Sequence, residues 1–297
     1  MRIFLIFLTS CLLVPASVAQ TIFLGALEDV TTNTSPRRHF FGVRVLFQKQ
    51  GDQGQALPND CSNESCLKDS PSKYPAEMRW NVGFDGRPLG TVTGRTPKEF
   101  LLYAHVGLQD IPNTQRVPTI GKSSMQFGGF AEEALFRPLV ANSKPFLQDP
   151  DAWKPLHPGK DLVTLVRGSF SRKYPKLCKQ TADETDLEPL PYKNQGIQIV
   201  KAYVSNKRWR IAQVHLEGAI DCDDTEAGFA MDDPLFVITP DNIVRYLTSE
   251  VWLVDAGDWD NDGTSELLFS INRYNRGGYQ LFYDHFQKQV SFEFSYH

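Results

Sequence analysis

This sequence predicts an all-β fold, on three observations. Short runs rich in β-branched and aromatic residues alternate apolar with polar at period two. Clusters of Gly, Pro, Asn and Asp punctuate those runs, and long helical periodicity is hard to find. The chain has 297 residues, 41% of them apolar, which is enough for a buried core in one large all-β domain. No stretch has the length or flexible composition of an interdomain linker, so residues 20–297 are expected to form a single domain.

The first 19 residues stand apart. Arg2 supplies a positive start, "IFLIFLTSCLLVPA" is an apolar run, and Ser17 and Ala19 occupy the small-residue positions before a cleavage point at Gln20. The pattern predicts a removable secretion signal over 1–19 and a protein in the periplasm or outside the cell. The apolar run is shorter than the roughly 20 residues needed to span a bilayer, so no transmembrane segment is expected once the signal is gone. "LTSC" at 8–11 resembles a bacterial lipobox, and the alternative it implies is a lipid anchor through Cys11.

The strand runs follow in order. "TIFLGALEDV" (21–30) and "FFGVRVLFQ" (40–48) come first. "RWNVGFDG" (79–86) and "RPLGTVTG" (87–94) read as a hairpin, with Asp85 and Gly86 able to take the positive φ of a tight turn. "FLLYAHVG" (100–107) and "LVTLVRGSF" (162–170) read as further strands. "IQIVKAYVS" (197–205) and "RWRIAQVHL" (208–216) flank "SNKR" as a second hairpin. The C-terminus gives four successive strands, "EVWLVDAG", "SELLFSINRY", "GYQLFYDHF" and "VSFEFSYH", joined by an acidic loop, by "NRGG" and by "QKQ". In the last, Phe292, Phe294 and Tyr296 share one face, as in a half-buried strand. Residues 50–77 and 179–195 lack apolar periodicity and read as long surface loops. Hairpins of this number suggest a β-propeller of about five or six blades, since a blade uses about 40–50 residues, with "TIFLGALEDV" and the final strands completing one blade. A two-sheet β-sandwich is the alternative.

Losing Arg2 with the signal leaves 30 basic against 35 acidic residues, a formal charge of −5. Basic residues form only short clusters such as "SPRRH" and "NKRWR", which argues against nucleic acid as a partner. Of five cysteines, Cys11 leaves with the signal. The remaining four, Cys61, Cys66, Cys178 and Cys222, are even in number in an exported chain and read as disulfides. The favoured pairs are Cys61 with Cys66, across the polar "CSNESC" loop, and Cys178 with Cys222. Zinc would want two close pairs or supporting histidines.

Chemistry concentrates in "DWDNDGTSEL", residues 258–267, where four acidic side chains lie between apolar runs. Asp258, Asp260 and Asp262, at alternate positions, can point into one concavity, and Gly263 permits the sharp turn. Thr264 can add its carbonyl oxygen, and Glu266 closes the set. Hard oxygen donors favour calcium over zinc or copper, and a set nearly completed by one loop favours a structural ion over a catalytic one. An EF-hand would need its bidentate acid at 269, where Phe269 stands, and helical flanks where these alternate as strands. A calcium-binding hairpin over 250–272 is therefore expected.

"VDAGDWDNDGTSELLFS" (254–270) resembles the calcium loop of FG-GAP or VCBS-type repeats, found in integrin-like propellers and secreted bacterial proteins. The resemblance covers one hairpin and implies Asp258, Asp260, Asp262 and Glu266 as ligands, with Thr264 contributing backbone. The "RYNRGGY…FYD" tail is similar to that of other exported bacterial proteins and implies no activity.

Other constellations are weaker. "DCDDTE" (221–226) offers Asp221, Asp223, Asp224 and Glu226, but its alternation is broken and no glycine turn follows. It reads as a solvated loop. "RVPTIGKSS" has Arg116 where a phosphate-binding loop needs its first glycine. No serine sits in a Gly-x-Ser-x-Gly elbow, and His39, His105, His157, His215 and His285 show no metal-ligand pairing. Trp80, Trp209 and Trp252 fall in strand patterns and read as core, whereas Trp259 either caps the acidic loop or faces outward. No catalytic motif is recognisable. The reading is an exported calcium-binding all-β protein that binds or scaffolds at the cell envelope, its partner an extracellular or periplasmic protein or glycan. The alternative is an envelope hydrolase of carbohydrate or phosphate ester, with structural calcium and acids from "DCDDTE".

Overall fold

The computed structural model describes residues 21–31, 39–51, 53–59, 73–96, 106–120, 138–181, 186–191, 196–222, 233–273 and 275–295. The proposed signal, Cys11, the Cys61–Cys66 loop, most of "FLLYAHVG" and Asp223, Asp224 and Glu226 lie outside the described residues.

The N-terminal part is β1 (Ile22–Thr31), β2 (His39–Gln50), β3 (Gln53–Ala56), β4 (Glu77–Phe84), β5 (Arg87–Arg95), β6 (Leu108–Asp110) and β7 (Leu139–Asn142). Their order is β1-β7-β4-β5-β6-β2-β3, and β1 also pairs with β2, so six strands close into a barrel with β3 appended. Closure removes the exposed strand edges that an open sheet would present. The β4–β5 turn is the expected one, with Asp85 and Gly86 at φ 52° and 68°. The barrel is filled by side chains such as Leu27, Val43, Trp80, Val82 and Leu139, all fully buried. Trp80 satisfies its indole N–H on Gln109 Oε1 at 2.8 Å, as a buried tryptophan must.

The next part holds β8 (Lys154–Pro155), α1 (Lys160–Lys173), β9 (Leu177–Gln180), β10 (Leu187–Pro189), β11 (Gln198–Val204), β12 (Arg210–His215), β13 (Ile220–Asp221), β14 (Leu235–Ile238) and β15 (Val244–Thr248). A five-stranded sheet runs β15-β14-β12-β11-β8, and a small sheet runs β10-β9-β13. The β11–β12 hairpin is the one expected.

Helix α1 corrects the strand expected at "LVTLVRGSF". Leu162, Val166, Ser169 and Phe170 are its buried residues, spaced four, three and one apart, which is one face of a 3.6-residue period. Asp161 in the first turn and Arg172 and Lys173 in the last complement the helix dipole. The two stretches expected to be plain loops also contain strand residues, β3 in the first and the end of β9 and all of β10 in the second.

The C-terminal meander is β16 (Val251–Gly257), β17 (Glu266–Arg273), β18 (Arg276–Tyr283) and β19 (Lys288–Ser295), paired in that order. These are the four strands expected, with shifted turns. "NRGG" lies mostly inside β18, and the turn before β19 is Asp284–Gln287, closed by Gln287 N–H on the Asp284 carbonyl at 3.0 Å. Both faces of this sheet are covered. Leu268, Tyr279, Leu281 and Phe292 join the barrel core, while Leu267, Phe269, Ile271 and Phe282 pack with Ile211, Leu235 and Val237 of the five-stranded sheet. The other face of that sheet, with Ala212, Phe236 and Ile238, packs on Leu162, Val166 and Phe170 of α1. The meander is thus a buried middle layer, which explains the unbroken burial of Glu266–Ile271.

The all-β class stands, with one helix among the described residues. The ring of blades does not follow from this pairing. β1 bonds to β2 and β7 rather than to the final strands, and sheets of seven, three, five and four strands do not count out as five or six blades. Period-two patterning cannot distinguish a closed barrel from blades, because both use the same hairpins. No described helix is long and apolar enough to cross a membrane.

Candidate metal centre

Strands β16 and β17 pair up to Gly257 and Glu266, which face each other at the neck of the acidic loop. Within the loop the carboxylates fold the backbone around themselves. Asp258 accepts the N–H groups of Asp262 and Gly263, each at 2.9 Å. Asp260 Oδ1 accepts Asp262 N–H at 3.1 Å, and Asp262 Oδ1 accepts Thr264 N–H at 2.8 Å. Asn261 and Gly263 take φ of 64° and 87°. A Cβ at Gly263 would meet nothing within 4 Å, so glycine is needed there for its backbone angle and not for space.

This curl gathers Asp258, Asp260, Asp262 and Glu266, each offering one oxygen, so that these atoms all lie within 4.8 Å of one another. The cluster could hold a metal ion, and its donors are all hard oxygens. Thr264 lies in the same turn and is half-buried.

Glu266 is only 4% exposed. Burial pushes its carboxyl up to about 8, against the opposing pull of the Trp259 N–H and the Lys49 ammonium, while Asp262 and Asp258 add to the rise. Lys49, on β2, reaches the cluster from the barrel. Its ammonium contacts Asp260 and stands 3.7 Å from Asp262. Four carboxylates thus meet one ammonium, which leaves the centre with a strong excess of negative charge when all are ionised.

The loop is anchored to the barrel side on three further counts. Asp258 N–H donates to the Gln148 carbonyl at 2.7 Å. Asn142 Nδ2 donates to the Trp259 carbonyl at 2.7 Å. Ser265, next to the closing ligand, donates to Asp149 Oδ1 at 2.5 Å and accepts Asp151 N–H at 3.1 Å. Asp151 is itself buried and salt-bridged to Lys207 at 2.7 Å. Trp259 neither caps the ligands from solvent nor faces outward. It is 3% exposed in the barrel core, and its backbone N–H donates to Glu266 Oε2 at 2.7 Å.

Sequence reasoning missed Lys49, Asn142, Gln148, Asp149 and Asp151. Nothing in a local window points to them, because they come from segments more than a hundred residues away. Of the weaker constellations, Asp221 is half-buried in β13, and His215 pairs with Asp233 at 2.7 Å without a further metal-type partner in a cluster among the described residues. Cys178 and Cys222 form the expected pair, with Cα atoms 5.1 Å apart, within the range of a disulfide. Trp80 is core as expected, while Trp209 and Trp252 are half-buried.

The chain matches no protein-family model, no curated protein and no solved structure. Fold and site therefore define the class alone: an all-β protein with a disulfide-distance cysteine pair and a four-carboxylate cluster that could hold a metal ion.

Proposed function

We propose that this is an exported calcium-binding protein whose ion is structural, and that it works by binding or scaffolding at the cell envelope. The single observation that carries the reading is the convergence of the four loop carboxylates, with their hard oxygen donors, on one centre. The resemblance of the loop to FG-GAP and VCBS-type repeats supports it. Asp258, Asp260, Asp262 and Glu266 would bind by carboxylate and Thr264 by its carbonyl, giving at least five of the six to eight oxygens calcium takes. Such an ion cross-links the β16–β17 neck to a loop already bonded to Asn142 and Gln148. It would therefore stabilise the packing of the meander on the barrel, by binding the folded form in preference to the unfolded one.

Export is supported by the N-terminal pattern and by the Cys178–Cys222 pair, which is compatible with an oxidising compartment. One loop supplies most of the ligands, which leaves few positions for a substrate and favours a structural ion over a catalytic one. A cavity borders the loop and is lined mainly by apolar side chains including Ile22, Leu24, Phe47 and Leu281.

The test is calorimetric titration of the mature protein with calcium, with thermal melts in calcium and in chelator, repeated on Asp260→Ala. Saturable binding and a raised Tm, both lost in the variant, are expected. Wild-type protein that neither binds calcium nor shifts its Tm would reduce the loop to an acidic hairpin turn.

A further inference from the structure

We propose that Lys49 is a tethered competitor for the cation centre, a residue that sets its affinity and restricts it to divalent ions. The inference rests on the calcium reading above and adds to it a named residue outside the loop.

Lys49 lies near the end of β2, flanked in register by Ile22 of β1 and Gly54 of β3, so its backbone is held on both sides. Its ammonium contacts Asp260 and stands 3.7 Å from Asp262, two of the four gathered carboxylates. The Asp260 side chain is 7% exposed, and among the described residues its Oδ2 takes no hydrogen bond. The counter-charge of that buried oxygen is the lysine. A cation already belongs at this spot, and the protein supplies one of its own.

Calcium bound by all four residues must take an oxygen of Asp260 at about 2.3–2.6 Å. An ammonium held on the same carboxylate would then stand within about 5 Å of the ion, where like charges repel strongly in a poorly solvated site. Both cannot keep full contact, so calcium entry displaces Lys49. A second perch is close by, since Nζ lies 5.8 Å from the centre of the Tyr283 ring, within reach of a cation–π contact. Valence selection follows from charge. A monovalent ion that displaces the ammonium replaces one positive charge with another and gains nothing in neutralisation, whereas a divalent ion adds one. The exchange also dissolves the ion pair that ties β2 to the loop, so calcium alters how the barrel strand and the meander are joined.

The experiment is calcium titration of wild type, Lys49→Met and Lys49→Gln, at low and high sodium chloride. It is paired with amine-reactive acylation of the wild-type protein, read at Lys49 by mass spectrometry. The variants are expected to bind calcium at least about tenfold more tightly and to lose more affinity to sodium than wild type does. Lys49 in the wild type is expected to acylate several-fold faster in saturating calcium than in chelator. Equal affinities in wild type and both variants, or acylation that calcium leaves unchanged or slows, would overturn the role of Lys49 and leave the calcium site standing. Absence of calcium binding in all three proteins would overturn the site itself and this inference with it. The acylation arm uses unmodified protein and does not depend on the variants folding.

Discussion

The backbone N–H of Trp259 donates to Oε2 of Glu266 at 2.7 Å, across the neck where Gly257 and Glu266 pair. One bond thus joins the second residue of the acidic loop to its closing carboxylate. The same carboxyl is pushed up to about 8, chiefly by burial.

Calcium cancels a pH response that the buried Glu266 carboxyl creates. Without the ion, Glu266 binds a proton more tightly folded, near 8, than its ordinary 4.5, so the folded form holds more protons between those values. The Glu266 contribution to metal-free stability is therefore fully present below about 4.5 and is lost as pH rises toward about 8. Calcium needs the carboxylate, so its affinity rises by up to roughly tenfold per pH unit over the same window and levels off above it. Calorimetry at pH 7 in two buffers of different ionisation enthalpy is expected to show close to one proton released per calcium. Release of no proton would sink this account.

Gly263 sits at φ 87° with open space around it. Gly263→Ala strains the backbone by about 1–2 kcal/mol without a clash, and the cost falls on the curled loop. Calcium affinity is expected to weaken by about tenfold while chelator-treated protein keeps most of its Tm. An unchanged affinity would show that the curl is not needed for binding.

At Gly257 the constraint is space. A Cβ there would approach Trp259 Nε1 to 2.5 Å, closer than real contacts allow. Gly257→Ala is expected to destabilise the protein by about 1–3 kcal/mol with or without calcium, by forcing Trp259 off its rotamer. Urea unfolding measures it, and a neutral result would mean the indole shifts freely.

Arg44 is buried and bonds both oxygens of Glu28 at 2.8 Å, while Tyr279 of the meander donates to the same carboxylate at 2.8 Å. Burial alone would lower the Arg44 pKa, but Glu28, with smaller help from Tyr279 and Tyr74, makes the net shift upward. Arg44→Met leaves Glu28 without its cation and is expected to cost about 3–5 kcal/mol, and Arg44→Met with Glu28→Gln less than that. Equal losses in urea melts would argue against a pair that acts as a unit.

Helix α1 depends on Phe170, fully buried with ring centres 5.2 Å from Tyr174 and 6.4 Å from Phe236. Phe170→Ala is expected to cost about 3–5 kcal/mol through the cavity it opens. Hydrogen exchange should show α1 losing protection first. If exchange rises evenly over the whole chain instead, the helix is not a separable layer.

Local chemistry made much of this legible in the sequence. The β4–β5 turn could be read because Asp85 and Gly86 tolerate positive φ, and the acidic loop because three alternating aspartates and a glycine describe their own curl. Cys178 and Cys222 stand at disulfide distance, the pairing favoured among the three that four cysteines allow. Where neighbours in space decided, the reading went wrong. "LVTLVRGSF" carries β-branched residues that suit a strand, yet Leu162, Val166 and Phe170 fall on one helical face and the five-stranded sheet offers a surface to cover. Trp259 sits among polar residues in sequence but points into a core built by other strands.

By itself the sequence determined the elements whose signals lie within a few residues of one another: hairpin turns, period-two strands and the four carboxylates of one loop. Tertiary structure alone decided that six strands close into a barrel, that the C-terminal meander is buried on both faces, and that Lys49 stands among the acids of a loop more than 200 residues away. The physical reason is range. Turn geometry and backbone sterics act along the chain, whereas burial and charge pairing act through space and depend on which segments the fold brings together.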